Sequence, residues 1–167
     1  IIHLAGAGIA DKAWTNSRKN TIVKSRVLTA RLLLSKIKSL NIKITTFISA
    51  SAVGYYGAQI SEKTFEENDE YYEDFIGNCC KQWENAADQF SAITRVSKFR
   101  LGVILDKNSG ALLKIARMVK NRIGSPLGTG KQYMPWIHLE DAVNLFYFAI
   151  MNDEIKGTFN AVAEEII

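Results

Sequence analysis

Two well-separated segments carry the side chains and bare backbone from which chemistry could be built. His3-Leu4-Ala5-Gly6-Ala7-Gly8 and Ile48-Ser49-Ala50-Ser51-Ala52-Val53-Gly54-Tyr55-Tyr56-Gly57 each run apolar and then break into small residues. Small residues just past a buried strand let a flat ligand lie against the main chain, and open α/β sheets bind ligands at the carboxyl ends of parallel strands. The chemistry such ledges serve is that of a nucleotide cofactor. Ser51 adds a hydroxyl, and Arg26 and Arg100 add permanent planar charge that could meet a cofactor or an anionic substrate. Further along, Gly124 to Lys131 could cradle an anion with backbone N–H groups, although turn chemistry alone also explains it. His138 and Asp141 flank a helix entry, where a cap is the simpler reading and acid/base work the sharper one.

The elements that must position these residues follow from the hydrophobic pattern. Ile1 to Ala5 predicts a buried parallel strand. Thr15 is the expected N-cap of a long crossover helix with Ile22, Val27, Ala30, Leu33, Leu34 and Ile37 on its inner stripe, punctuated at Asn41. The β-branched run Ile42 to Ser49 predicts a second buried strand, completing a βαβ unit. Gly54 to Asp74 is polar, acidic and irregular, the kind of long loop that tends to be functional. A helix bearing Ile76, Cys79, Cys80, Trp83, Ala87 and Phe90 comes next, followed by one strand over Ile93 to Leu105 with Gly102 inside it. A helix over Ala111 to Arg122, an extended piece at Trp136-Ile137-His138, an apolar helix over Glu140 to Met151 and a strand over Gly157 to Val162 complete the chain. No repeat or Pro-rich linker divides it, so one contiguous α/β unit is expected.

Composition sets the outer bounds. With 167 residues, 47% hydrophobic and 23% charged, the chain has the make-up of a globular domain. No apolar stretch reaches the ~20 residues that span a bilayer, so no membrane association is expected. The net charge of +4 is modest and the basic residues do not cluster with aromatics, so no nucleic-acid partner is expected. Cys79 and Cys80 are adjacent, which suits neither a structural disulfide nor a zinc site; no metal is expected, and a reducing cytoplasmic or organelle interior is the expected home.

The combined pattern resembles the extended short-chain dehydrogenase/reductase superfamily, and within it the atypical epimerase-family proteins. The residues that carry this resemblance are His3-Leu4-Ala5-Gly6, Ser25-Arg26, Ser51 to Gly57, Trp83-Glu84, Ala86-Ala87, Arg100 to Leu105, Pro126 to Gln132, Trp136-Ile137-His138 and Phe159-Asn160. It implies the later strands and helices of a Rossmann-type, doubly wound parallel sheet. It also implies that a complete member opens with a Gly-rich fingerprint and ends with a small helical region, so the chain is expected to be a fragment lacking both.

The resemblance further implies a dinucleotide cofactor, NADP(H) ahead of NAD(H), and an unidentified small-molecule substrate exchanging hydride with it. Leu4, Ala5 and Gly6 would meet the adenosine-side ribose and linking phosphates. Arg26, Ser49, Ala50, Arg100, Leu101 and Gly102 complete the expected cofactor set, the last three toward the nicotinamide end. Ser51 would hydrogen-bond a substrate oxygen beside a Tyr and Lys couple. Those two positions fall at Ile76 and Cys80, or in an alternative frame at Cys80 and Glu84, and neither pair moves a proton as Tyr and Lys do. Tyr55, Tyr56, Tyr71 and Tyr72 of the acidic loop are the candidate substitutes, although a loop tyrosine is more often a surface or packing residue. The competing expectations are therefore a dinucleotide-binding module without catalysis and a degenerate remnant.

Overall fold

A computed structural model describes residues 1–124, 130 and 132–165. In chain order its elements are β1 (Ile2–His3), α1 (Asn16–Ser39), β2 (Thr46–Ala52), α2 (Phe75–Asp88), β3 (Arg95–Leu101), β4 (Val103–Asp106), α3 (Gly110–Lys120), β5 (Trp136–His138), α4 (Leu139–Met151) and β6 (Gly157–Ala161), with 3-10 turns at Val53–Tyr56 and Gln89–Ala92. The four strands β1, β2, β3 and β6 form one sheet in that spatial order with every pairing parallel. β4 and β5 pair in parallel as a separate two-stranded sheet.

α1 forms because its ends and its inner face agree. Thr15 is extended and its hydroxyl accepts from the Arg18 amide at 3.2 Å, a cap worth about 1 kcal/mol. Ile22, Val27, Ala30, Leu34 and Ile37 are the buried stripe. Lys36 and Lys38 sit in the last turn, where cations oppose the helix dipole, and Asn41 ends the run at φ 51°, a conformation asparagine tolerates better than most residues.

The sheet is covered on both faces. On one side α1 and α2 pack Ala30, Leu34, Ala86 and Ala87 with Phe47 and Val96, and Phe90 stacks on Phe47 with centroids 3.6 Å apart. On the other, Ala142, Phe146 and Ala149 of α4 cover Ile48, Ala50 and Phe99. Residues alternating along β2 thus face opposite layers, as the strand period requires. That placement turns Ser49 and Ser51 to the side of Phe47.

Three expected elements are redrawn. The first strand is two residues long and lies at the sheet edge, with Ile2 46% and Leu4 63% exposed and only His3 buried. The second strand starts at Thr46, not Ile42, because the Ile42 amide still bonds back to the Ile37 carbonyl and closes the helix end. The single strand expected over Ile93 to Leu105 is broken at Gly102 into β3 and β4, which belong to different sheets. A Cβ on Gly102 would stand 2.8 Å from the Pro135 carbonyl oxygen, so glycine is what lets the chain cross there.

Candidate functional site

The carboxyl end of β1 opens into bare backbone. Leu4, Ala5 and Gly6 are exposed, and a Cβ on Gly6 would stand 2.8 Å from Arg26 Cζ, so the guanidinium lies directly over the ledge. Arg26 Nη1 donates to the Ala7 carbonyl at 3.1 Å and to the Ile22 carbonyl at 2.9 Å, and its plane rests 4.9 Å from the Trp83 ring. Its Nε and Nη2 have no hydrogen-bond partner among the described residues. Ser25 fixes the same turn, accepting from the Ala7 amide at 2.9 Å. A half-buried cation with free donors beside an exposed main-chain ledge fits the linking phosphates and ribose of a dinucleotide.

At the carboxyl ends of β2, β3 and β6 the structure assembles a buried polar chain. Ser51 Oγ donates to Glu84 Oε1 at 2.6 Å. Arg100 holds the same carboxylate with both arms, Nε to Oε1 at 2.9 Å and Nη2 to Oε2 at 3.0 Å. Its Nη1 donates to Tyr56 Oη at 2.8 Å and to the Glu67 carbonyl at 3.1 Å, while the guanidinium covers the Tyr55 ring at 3.5 Å. Tyr56 in turn donates to Asn160 Oδ1 at 2.7 Å, sharing its proton with the Glu66 carbonyl at 2.9 Å.

Asn160 completes the chain on the loop side. Its amide donates to Glu67 Oε1 at 2.7 Å and its Nδ2 to the Phe65 carbonyl at 3.2 Å. The acidic loop is therefore strapped to the sheet by the residues beneath it. Phe65 stacks on Tyr56 with centroids 4.9 Å apart, which seals that attachment.

Electrostatics follow from burial and pairing. Burial alone would lower the Arg100 pKa, but the hydrogen bonds and charge of Glu84, then Tyr56, more than offset it and the guanidinium is held firmly charged. Burial raises the Tyr56 pKa, only partly countered by the Arg100 hydrogen bond, so its hydroxyl stays protonated. Cys80 is pushed up to about 12 by burial, then by Cys79 and Glu84. That thiol is neutral at any physiological pH.

The expected site residues divide into three groups. Leu4, Ala5, Gly6 and Arg26 come together at the β1 ledge. Ser51 and Arg100 come together through Glu84, yet Ser51 is 2% and Arg100 3% exposed, and both spend their donors inside the protein. Ser49 and Ala50 are buried within the sheet, the Ser49 hydroxyl turned to the Ala50 carbonyl at 2.9 Å, and Leu101 packs with Phe99 and Phe159. The close approach at Gly102 is made by Pro135 of the same chain and not by ligand space. Arg100 spends its charge on an ion pair with Glu84 inside the sheet, on β3 between β2 and β6.

Tyr55 and Tyr56 are also corrected from loop residues to buried ones, held in the 3-10 turn that follows β2. His138 is the cap it was expected to be, its Nδ1 accepting from the Glu140 amide at 3.3 Å. Most of the Gly124 to Lys131 loop lies outside the described residues. Ile76 and Cys80 stand together over Gly54: a Cβ there would run into Ile76 Cγ2, and Cys80 Sγ is 3.9 Å from it.

Glu84 and Tyr56 stood only as alternatives for the proton-transferring couple and Asn160 only among the residues that carry the resemblance, yet all three complete the cluster. Glu84 was findable. It is a carboxylate on the buried stripe of α2, between Trp83 and Ala87, and a charge in that position requires a buried partner.

A parallel sheet covered by helices on both faces, with a small-residue ledge and a polar cluster at the carboxyl ends of its strands, defines a Rossmann-like α/β domain. The family model for the NAD dependent epimerase/dehydratase family matches residues 1–161, and the chain belongs to that family. It is 34% identical over 165 residues to the chloroplastic epimerase family protein SDR39U1 homolog of Arabidopsis thaliana, covering 98% of this chain and 47% of that protein.

Two solved structures carry the likeness into three dimensions. Human epimerase family protein SDR39U1 (isoform 2) with NADPH superposes at TM-score 0.89 and 28% identity, over 98% of this chain and 56% of that one. The nucleoside-diphosphate sugar epimerase of Corynebacterium glutamicum superposes at 0.84 and 33% identity, over 99% of this chain and 34% of that one. The chain thus spans about half the length of the curated relatives it matches. No described helix is long and apolar enough to cross a membrane.

Proposed function

We propose that this chain serves NAD(P)(H)-dependent epimerase-type chemistry, in which hydride passes between a nicotinamide ring and a small carbonyl or hydroxyl compound. The observation that carries this reading is the β1 ledge, with Arg26 poised over Gly6 and two of its nitrogens without a hydrogen-bond partner among the described residues. When bound, the dinucleotide supplies the hydride. Leu4, Ala5 and Gly6 offer it backbone, and Arg26 neutralises a phosphate. Ser49, Ala50, Leu101 and Gly102 support the site from within the sheet and its crossing point, and Arg100 with Glu84 holds the carboxyl ends of the strands rigid. Ser51 orients the substrate oxygen, and to do so it must release Glu84. The compound class to screen first is the nucleoside-diphosphate sugars, named for the Corynebacterium glutamicum relative.

A second reading is favoured by one observation. Ile76 and the neutral thiol of Cys80 stand where a proton-transferring couple is expected, so the dinucleotide could be held without turnover. Titration of the purified chain with NADPH and NADH, followed by tryptophan quenching, tests both readings at once. Binding that Arg26→Leu weakens about tenfold, the worth of one charge-assisted hydrogen bond, supports the ledge. Loss of NADPH absorbance with a ketosugar nucleotide, abolished by Ser51→Ala, selects the first reading; binding with no loss selects the second. No quenching by either dinucleotide sinks both.

A further inference from the structure

The loop from β1 into α1, residues 7–14, is held by side chains reaching down from the helix. Among the described residues its one backbone–backbone hydrogen bond is the Thr15 amide on the Ala13 carbonyl. Ser25 accepts from the Ala7 amide, Arg26 Nη1 donates to the Ala7 carbonyl, and Arg18 Nη2 donates to the Gly8 carbonyl at 2.5 Å. Two guanidinium groups therefore converge on consecutive peptide units, whose Cα atoms lie about 3.8 Å apart. Neither is used up. Arg26 keeps Nε and Nη2 without a hydrogen-bond partner among the described residues, and Arg18 keeps a buried Nε without one.

The acid beside them is loosely held. Asp11 Oδ2 stands 3.5 Å from Arg18 Nη2, well beyond the roughly 2.7–2.9 Å of a charge-assisted hydrogen bond, and the carboxylate accepts from no other donor among the described residues. Yet it is pressed against bare backbone. A Cβ on Gly8 would run into the Asp11 carboxyl group, just as one on Gly6 would meet Arg26. An ion pair of that length contributes almost nothing to stability, so folding does not explain why the carboxylate occupies the space that Gly8 leaves open.

We propose that Arg18 and Arg26 together form a seat for a diphosphate group, and that Asp11 fills the Arg18 half of it until phosphoryl oxygens displace it. The inference rests on the reading of Arg26 as a phosphate contact and adds to it a second cation and an internal competitor. Two planar, permanently charged forks on adjacent peptide units match two adjacent phosphoryl groups, each of which offers paired oxygens. A single phosphate would leave one fork to Asp11. On binding, Arg18 exchanges a loose partner for close ones, and the Asp11 carboxylate is released to water. The linking group of a dinucleotide and that of a nucleoside-diphosphate sugar both carry this chemistry.

Calorimetric titration of the chain with inorganic pyrophosphate tests the seat without nicotinamide and without turnover. Arg18→Leu and Arg26→Leu should each weaken binding about tenfold, the worth of a charge-assisted hydrogen bond. Asp11→Asn should tighten it about threefold, since a weak ion pair no longer has to be broken, and a misfolded chain cannot produce that gain. An acid also repels an anion through its field alone, so the decisive variant is Asp11→Asn/Arg18→Leu. A competitor for Arg18 has little left to block once Arg18 is gone, so most of the gain should vanish, whereas a field effect would persist at the same factor. Repeating the series with NADPH and with UDP-glucose names the source: the ligand whose affinity follows the variants brings the diphosphate. No binding of pyrophosphate at about 10 mM, an affinity that Asp11→Asn leaves unchanged or lowers, the same gain in both backgrounds, or variants that neither nucleotide follows overturns the inference. The Arg26 reading survives any of these results where Arg26→Leu alone still weakens NADPH.

Discussion

Arg100 meets Glu84 side-on, two parallel hydrogen bonds of 2.9 and 3.0 Å joining the end of β3 to the buried stripe of α2. Both side chains are almost fully enclosed, at 4% and 5% exposure. A pair in this setting costs much to desolvate and gives little net stability, but each partner is indispensable to the other.

Arg100→Leu should therefore destabilise the chain by about 3–5 kcal/mol, because it leaves a carboxylate buried with only the Ser51 hydroxyl for company. Glu84→Gln, which keeps shape and one acceptor, should cost less. Urea unfolding of the two variants checks the order. Equal losses below about 1 kcal/mol would mean that the pair is solvated and not sealed.

Tyr56→Phe tests the strap. Its hydroxyl accepts from Arg100 and donates to Asn160 and Glu66, so its removal leaves buried groups short of a partner at a cost of about 1–3 kcal/mol. Amide hydrogen exchange should rise across residues 65–72 while α1 stays protected. Exchange unchanged in the strap would show that Phe65 packing alone holds it.

The cysteines give a chemical test of burial. Both are enclosed and both thiols have raised pKa values, Cys80 to about 12, with burial the leading cause. The thiolate is the reactive form, so at pH 8 neither should react with iodoacetamide in the folded chain while both react at once in urea. Rapid alkylation of Cys80 without denaturant would open the space over Gly54 and return that position to the list of reactive groups.

Helix α1 was legible because all its signals are local: a Thr cap, a 3.6-residue stripe and an asparagine able to take a positive φ. The carboxyl-end cluster was only half legible. Ser51 and Arg100 lie at strand ends and could be singled out, but what they do is set by Glu84 on a helix and Asn160 on a distant strand, and no sequence period relates those positions. The break at Gly102 was hidden for a similar reason. Its cause is the Pro135 carbonyl, which approaches from far along the chain, so a continuous apolar run read as one strand where the fold needs two.

Gly77 shows the same long-range constraint from the other side. A Cβ there would collide with the Tyr72 carbonyl and approach the Tyr55 carbonyl at 3.1 Å, both of them backbone atoms that cannot rotate away. Gly77→Ala gains helix propensity but must push the strap's base outward. A net loss of about 2 kcal/mol or more in thermal unfolding is expected, against the gain of about 1 kcal/mol that the same change brings in an open helix. A stabilised variant would mean that the strap base yields freely.

His3 sets the response to mild acid. It is 2% exposed, stacked on Phe47, and its Nδ1 accepts from Trp83 Nε1 at 3.3 Å, so the proton of the neutral ring sits on Nε2, which has no partner among the described residues. Burial, then the charge of Arg26, lowers its pKa in the folded chain. The unfolded chain takes up its proton near pH 6.5 while the folded chain does not, so stability is full above that value and falls as the pH drops below it. The slope can reach about 1.4 kcal/mol per pH unit before the folded ring also protonates. Unfolding free energies measured from pH 7.5 to 5.5 should decline in the unmodified chain, whereas His3→Phe, offset by the loss of the Trp83 acceptor at every pH, should decline less steeply, keeping only the share of the Ile1 α-amino group, whose pKa burial also lowers. A variant that declines in parallel with the parent would assign the acid response to another group and leave His3 a packing residue only.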